Sequence, residues 1–137
     1  MADVIIYRRQ LEQLNSILEK FITNSAAKCA LVITREGRFL TSRGTAPGFD
    51  KIALAALVSA CFASTCAIAN LIGESRFSTM FHQGVNEHIN ISSLTEEVLL
   101  IVIFNNHTTI DTVRTFTEQY KEELCVALST MPLPTVC

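Results

Sequence analysis

The sequence is poor in charged residues and lacks the patterns typical of nucleic-acid-binding proteins. Lys, Arg, Asp and Glu make up 18% of its 137 residues, and the formal net charge is −2. Two basic side chains are adjacent only at Arg8-Arg9, and no basic stripe follows them. A surface that recognises phosphate backbones needs clustered Lys and Arg. We therefore expect no nucleic acid among the partners.

Glycine and cysteine are also used in ways that exclude several classes of protein. The 5 glycines are scattered rather than gathered in a phosphate-binding loop, so no cofactor is expected. The 5 cysteines are an odd number without CxxC spacing, and the first residues do not form a signal-peptide pattern. These features predict reduced thiols in a cytoplasmic protein and no metal site.

A catalytic centre would need a nucleophile beside an acid or base. The candidates for a thiol hydrolase are Cys29 or Cys61 together with His82, His88 or His107. Cys29 falls in a predicted buried strand and Cys61 on the predicted core side of a helix, where a thiol stays protonated. We interpret the histidines as solvated turn residues and expect no catalytic residue.

The most unusual feature that is present is a long uncharged segment from Asp50 to Gly73. No charged residue lies between Lys51 and Glu74. Its Ala and Leu content, with Asp50 as N-cap and Gly73 just past the end, predicts a helix of about 22 residues. It could span a membrane, lie inside a large core, or contact another chain. Its many Ala and Ser residues and the missing polybasic flank argue against membrane insertion.

At 3.6 residues per turn, large and small side chains of this helix fall on opposite sides. The side predicted to face the core comprises Leu54, Leu57, Val58, Cys61, Thr65, Ile68 and Ile72. The opposite side also includes Cys66, and we assign it to a dimer mate and a further partner. Its candidate binding residues are Ala56, Ser59, Ala60, Ala63, Ala67 and Asn70.

Hydrophobic spacing predicts two further helices and five strands. The helices are expected over residues 4–23 and from Thr108 to about Ser129, each with one apolar stripe. The predicted strands cover residues 28–34, 39–42, 76–83, 87–94 and 98–104.

Two of these strands, 28–34 and 98–104, are continuous apolar runs, which are typical of strands covered on both faces. Strand 87–94 instead alternates, which predicts that His88, Asn90 and Ser92 face solvent. Arginines 35, 38 and 43 fall on the first hairpin, where we expect a solvated turn rather than an arginine finger.

The order of elements, αββαβββα, predicts an α+β fold in one domain, residues 1–130, with a short tail, residues 131–137. Covered strands require helices on both faces of a five-stranded antiparallel sheet. Helices 1 and 3, each with one apolar stripe, suit one face, and helix 2 covers the other. Burying the outer side of helix 2, at about 25 cal/mol per Å², would favour the association of two subunits.

The assembled pattern resembles the Roadblock/LC7 family, in particular its bacterial gliding-motility (MglB) branch. The resemblance is carried by LNSILEKF, by ALVITREGRFLTSRG, by the Ala-rich helix ending at residues 70–74, and by residues 81–84, 99–104 and 109–114. Two positions depart from the family pattern. Asp111 replaces the usual glycine at the start of the last helix, and Glu36 replaces the usual aspartate before Gly37.

The resemblance implies a homodimer in which the second helices lie against each other. The third strands, with Phe77, Thr79 and Phe81, would pair across the two-fold axis. It also implies binding of a Ras-like small GTPase of the MglA type, whose hydrolysis is stimulated without a catalytic residue from this chain, in cell polarity or motility. The alternative is a Roadblock-type scaffold or adaptor that binds a GTPase or motor complex without accelerating hydrolysis.

Overall fold

The computed structural model describes residues 8–45 and 48–129, which form three helices and five strands. The helices are α1 (Arg8–Ser25), α2 (Lys51–Leu71) and α3 (Ile110–Ser129). The strands are β1 (Cys29–Thr34), β2 (Phe39–Gly44), β3 (Thr79–Gln83), β4 (Glu87–Ser93) and β5 (Val98–Asn105). The α+β fold and its element order are confirmed. The predicted start of the first helix at residue 4, the domain end at residue 130 and the tail lie outside the described residues.

The five strands form one antiparallel sheet in the order β2-β1-β5-β4-β3. The two apolar strands are β1 and β5, and they lie next to each other inside the sheet. All of β1 is buried, and in β5 only Ile103 and Asn105 are partly accessible. The prediction that these two strands are covered on both faces is confirmed, because only a strand with helices on both sides buries consecutive residues.

Two hydrophobic clusters lie on opposite faces of the sheet. One joins α1 and α3 to the sheet and includes Leu14, Phe21, Leu100 and Leu124. The other lies beneath α2 and includes Leu31, Ile33, Phe62, Ile91 and Ile101. Since neighbouring residues of a strand point to opposite faces, Leu100 and Ile101 enter different clusters. The domain therefore has three layers, with α2 alone on one side.

Both ends of α2 form as predicted. The carboxylate of Asp50 accepts hydrogen bonds from the N–H groups of Ile52 and Ala53, at 3.0 and 3.1 Å. After the helix, Gly73 adopts a φ of +83°, and its N–H donates to the carbonyl of Asn70 at 3.2 Å. An N-cap side chain and a glycine at positive φ satisfy backbone groups that the helix itself leaves unpaired.

The third strand begins later than predicted. It starts at Thr79 rather than residue 76, so Phe77 precedes the strand and is half-buried. The third helix, predicted from Thr108, is capped by Thr109, whose hydroxyl accepts the N–H of Thr112 at 3.2 Å. Asp111 follows in the first turn, where a carboxylate interacts favourably with the helix dipole.

The prediction of a half-exposed β4 is wrong. His88, Asn90 and Ser92 are 8%, 1% and 9% exposed, because they face the layer on the α3 side rather than solvent. His88 is also not a solvated turn residue, as its ring accepts the N–H of Gly84 at Nδ1 and lies 2.7 Å from Oδ1 of Asn106 at Nε2. A backbone N–H can only donate, so Nδ1 of His88 is the acceptor in the contact with Gly84.

Candidate functional site: the α2 face and the β3 edge

The orientation of α2 differs from the predicted one by roughly a quarter of a turn. Its buried residues are Ala55, Val58, Phe62 and Ala69. Three residues that were assigned to the core, Leu57, Ile68 and Ile72, are 70%, 51% and 69% exposed. Of the rest of that predicted side, only Val58 is buried, while Leu54, Cys61 and Thr65 are half-buried. The assignment of the large side chains to the core is therefore wrong for part of the helix.

Phe62 sets this orientation. Its ring is 1% exposed in the cluster between α2 and the sheet, and the guanidinium carbon of Arg35 lies 5.5 Å from the ring centroid. Ala55 and Ala69, both fully buried, have small side chains that allow the helix backbone to lie close to the sheet. Sorting by size could not find this arrangement, because the helix buries one large ring flanked by small residues.

The first hairpin holds the middle of α2. The hydroxyl of Ser59 donates to the carbonyl of Arg35. Gly37 has a φ of +98°, and a Cβ at this position would lie 3.2 Å from Cβ of Ser59. Near the helix start, Nζ of Lys51 donates to Oγ of Ser42 at 3.0 Å. Ser59 is therefore half-buried and attached to the hairpin, unlike the other predicted binding residues.

The remaining five predicted binding residues are exposed, and large apolar side chains lie beside them. The exposed surface of α2, which we call the α2 face, consists of Ile52, Ala53, Ala56, Leu57, Ala60, Ala63, Ser64, Ala67, Ile68, Asn70 and Leu71. Ile52 and Leu71 are 72% and 86% exposed. A contiguous apolar surface of this kind is typical of a site that binds another protein.

The sheet edge at β3 is a second surface with unpaired groups among the described residues. β3 pairs only with β4 in the sheet. The N–H of Ser93 donates to the carbonyl of Ser78 at 3.0 Å, which fixes the phase of the ladder. In an antiparallel pair, every second residue of a strand directs its backbone N–H and C=O groups toward the paired strand, and the residues between direct theirs away from it. Because Ser78 bonds to β4, the backbone groups of Thr79 and Phe81 point to the open edge. Such an edge can pair with a strand of another chain.

Arg35 is not the solvated hairpin residue that the sequence suggests. Its Nε and Nη2 atoms are buried without a hydrogen-bond partner in the described structure, and the guanidinium lies against Phe62. Arg38 and Arg43 are exposed. Arg35 thus belongs to the support beneath the α2 face and does not extend from the surface.

Two thiols, those of Cys29 and Cys125, have the environments of structural rather than reactive cysteines. Burial raises the pKa of the Cys29 thiol, and the charges of Lys51 and Lys28 oppose that shift only in part. Burial likewise raises the pKa of Cys125. Since the thiolate is the nucleophile, both thiols are less reactive than a free cysteine. Within residues 8–45 and 48–129, no cluster of three or more His, Cys, Asp or Glu residues could hold a metal.

Among the described helices, α2 alone is long and apolar enough to cross a membrane, with a mean hydropathy of 2.2. Length and composition are weak grounds for a span, because the core helix of a soluble protein meets the same criteria. Here Val58 and Phe62 pack on the sheet, and the hydrogen bonds of Lys51 to Ser42 and of Ser59 to Arg35 join the start and the middle of the helix to the first hairpin.

The sheet has one helix on one face and two on the other. An apolar helix face together with an open edge strand is typical of domains that bind other proteins. Residues 14–104 match the model of the Roadblock/LC7 domain, and the chain belongs to this family.

Solved structures of MglB proteins are similar to this chain over nearly its whole length. The gliding protein MglB of Thermus thermophilus is 27% identical, with 94% of this chain and 98% of that chain covered and a TM-score of 0.86. Myxococcus xanthus MglB is 25% identical, with 97% and 100% covered and a TM-score of 0.86. An MglB with a tetrameric arrangement is 27% identical, with 94% and 97% covered and a TM-score of 0.87. A comparison with curated proteins gives no match.

Proposed function

We propose that this protein is a cytoplasmic, non-enzymatic homodimer that binds a Ras-like small GTPase and stimulates its GTP hydrolysis, in cell polarity or motility. The observation that carries the proposal is the α2 face, an uncharged surface with small side chains at its centre and Leu57 and Ile68 at one border. Similarity to the gliding protein MglB of Thermus and to Myxococcus MglB supports it. Membership of the Roadblock/LC7 family, whose members are regulators, supports it as well.

Two exposed surfaces of one subunit support the proposed homodimer. A stable interface buries about 800 Å² on each partner. The α2 face and the β3 edge together offer apolar area and unpaired backbone groups, which are the two components of such an interface. Pairing of β3 with its copy would join two sheets into one and satisfy the outward groups of Thr79 and Phe81.

The shape of the same helices supports the proposed GTPase site. Two α2 helices side by side would form one broad surface, in which Ala60, Ala63 and Ala67 allow a partner backbone to approach closely. Arg35 lies under Phe62 and is poorly placed to reach a bound nucleotide. We therefore assign the acceleration to residues of the GTPase that this protein orders, with no catalytic side chain from this chain.

The dimer is tested by light scattering on the purified protein and on Ala63→Arg. Ala63 is exposed, so an arginine there should preserve the circular dichroism spectrum while placing two like charges at the helix contact. We expect the mass of two chains for the parent and of one chain for the variant. Ser16→Arg, an exposed position on α1, is the matched control and should remain dimeric. A parent protein with the mass of a single chain at all concentrations would refute the proposal.

The regulatory activity is tested by phosphate release from Ras-like GTPases that are encoded beside this protein. We expect faster release with the parent and with Ser16→Arg, and the basal rate with Ala63→Arg. Binding without a change in rate would identify the scaffold instead. If Ala63→Arg binds the GTPase and accelerates hydrolysis like the parent, the α2 face is excluded as the GTPase site.

A further inference from the structure

A buried imidazole holds the turn at one end of the open edge strand. β3 ends at Gln83, and the chain turns at Gly84 and Val85 toward β4. The N–H of Gly84 donates to Nδ1 of His88 at 3.1 Å. The turn is tight at this point, because a Cβ on Gly84 would collide with the carbonyl oxygen of Glu87. The path of the chain from β3 into β4 therefore depends on the ring of His88.

His88 also joins this turn to the loop between β5 and α3. Its Nε2 lies 2.7 Å from Oδ1 of Asn106, and Nδ2 of Asn106 donates to the carbonyl of Val85 at 3.2 Å. His88 thus contacts the turn directly through Nδ1 and indirectly through Asn106. Between them, the two side chains bind main-chain groups of both Gly84 and Val85, so the turn is fixed to a second loop of the domain.

The same imidazole packs in a row of rings that crosses three strands. Phe81 on β3, His88 on β4 and Phe104 on β5 form this row. The centroid of the His88 ring is 6.3 Å from that of Phe81 and 5.2 Å from that of Phe104, and the two Phe rings are stacked at 6.0 Å. From α3, the guanidinium carbon of Arg114 lies 6.0 Å from the Phe81 centroid. Since cross-strand ring contacts stabilise the pairing of strands, the row ties β3 to the two strands inside it.

Phe81 connects this row to the open edge. Its ring packs in the row, while its backbone N–H and C=O point away from β4. The proposed homodimer pairs this edge with its copy. An edge that is held in one conformation before binding loses less conformational entropy on association than an edge that must first be ordered. The contacts that fix Phe81 and the turn therefore bear on the strength of the dimer.

We propose that His88 and Asn106 are positioning residues for dimerisation, which hold the β3–β4 turn and the β3 edge in the conformation that pairs with a second copy of this chain. The inference rests on the homodimer of the proposed function. Both side chains act through Gly84, Val85 and Phe81 rather than through contacts of their own with the copy. Without them, the ladder to β4 would still form, but its turn end would open more often.

Amide hydrogen exchange, followed by NMR in the Ala63→Arg background, tests this role in single subunits. The N–H groups of Met80 and His82 point to β4, so their exchange reports the opening of the β3 ladder. The N–H of Val32, inside the fully buried β1, reports the stability of the rest of the sheet.

Two variants remove the contacts of the turn. His88→Phe keeps a ring without nitrogen atoms, and Asn106→Ala removes an exposed side chain, so the second variant preserves the core. We expect each to accelerate the exchange of Met80 and His82 about fivefold, as for loss of one hydrogen bond, and to leave Val32 unchanged. Unchanged exchange at Met80 and His82, or equal acceleration at Val32, would overturn the positioning role.

Sedimentation equilibrium of the full-length protein measures the dissociation constant of the dimer. We expect His88→Phe and Asn106→Ala each to weaken the dimer about fivefold. The double variant should weaken it by less than the product of the two effects, because both side chains hold the same turn. His107→Ala, at the exposed residue next to Asn106, is the matched control and should dimerise like the parent.

Two results of this measurement would overturn the proposal. Parental dimerisation of both His88→Phe and Asn106→Ala, with a dimeric parent, would refute the positioning role alone. Equal weakening by His107→Ala would show that any change in the loop has the same effect. A parent that remains a single chain would instead refute the homodimer of the proposed function, and this role with it.

Discussion

Phe62 is the side chain on which the position of α2 depends most. It fills the space between the helix and the sheet, and it is 1% exposed. We expect Phe62→Ala to lower the free energy of unfolding by about 3–5 kcal/mol, because it removes a buried ring and leaves a cavity. Urea denaturation measures the change. Phe62→Leu should cost less, and Val126→Ala, at a residue 52% exposed, should stay within about 0.5 kcal/mol of the parent.

Cys29 makes the stability of the protein depend on pH in the alkaline range. Burial raises the pKa of its thiol, so the folded protein keeps a proton that the unfolded chain loses above about pH 8.5. The unfolded state then binds fewer protons, and stability falls as pH rises through the folded pKa. Below about pH 8.5 the stabilisation is fully present. Cys125, whose pKa burial also raises, acts in the same direction.

We therefore expect Cys29→Ala to flatten the alkaline loss of stability, measured by urea unfolding between about pH 7 and about pH 10. For each protein, the free energy of unfolding at the lowest pH is subtracted from the values at higher pH. This removes the pH-independent loss of stability that deleting the sulfur causes. An unchanged slope in the variant would contradict the assignment to Cys29.

At the scale of elements, the edge strand β3 offers a geometric test of the proposed dimer. Thr79 directs its N–H to the open edge, so Thr79→Pro removes that donor without breaking the ladder to β4. We expect the variant to keep its circular dichroism spectrum and to associate more weakly in sedimentation. Met80 directs its N–H to β4, and Met80→Pro should destabilise the fold instead. Dimerisation of Thr79→Pro at parental strength would exclude pairing through β3.

The elements that could be predicted are those in which local and tertiary preferences agree. The runs of β1 and β5 are apolar throughout, and both faces of these strands are covered. Asp50 and Gly73 define the ends of α2 through local hydrogen bonds, and residues adjacent in sequence were sufficient to place them. The element order and the family pattern were sufficient to predict a five-stranded antiparallel sheet with helices on both faces.

The side of α2 that packs on the sheet could not be read from the sequence. After Lys51 every side of this helix is uncharged, so hydrophobic periodicity does not show which side packs on the sheet. Phe62 lies between the side with large and the side with small side chains. For β4, the polar residues Asn90 and Ser92 predict exposure to solvent, whereas both are buried on the side of the sheet that α3 covers. In both cases the sequence does not show which element packs against these residues: the sheet beneath α2, and α3 over β4.

At the scale of the whole molecule, a homodimer predicts that the melting temperature rises with protein concentration, because association stabilises only the folded chains. Scanning calorimetry over a hundredfold range of concentration measures this dependence. Ala67→Arg, at another exposed position of the α2 face, should abolish it, while Arg8→Gln should retain it. A melting temperature independent of concentration in the parent would contradict a reversible dimer.

The missing charge on the α2 face also has a kinetic consequence. Long-range attraction between unlike charges accelerates the encounter of many protein pairs, and added salt suppresses that acceleration. A surface without charged side chains gives no such local guidance, so a protein that binds this face would meet it near the unassisted rate of about 10⁵–10⁶ M⁻¹s⁻¹. The strength of a complex on this face would then depend on how slowly it dissociates, and changes in cellular ionic strength would alter it little.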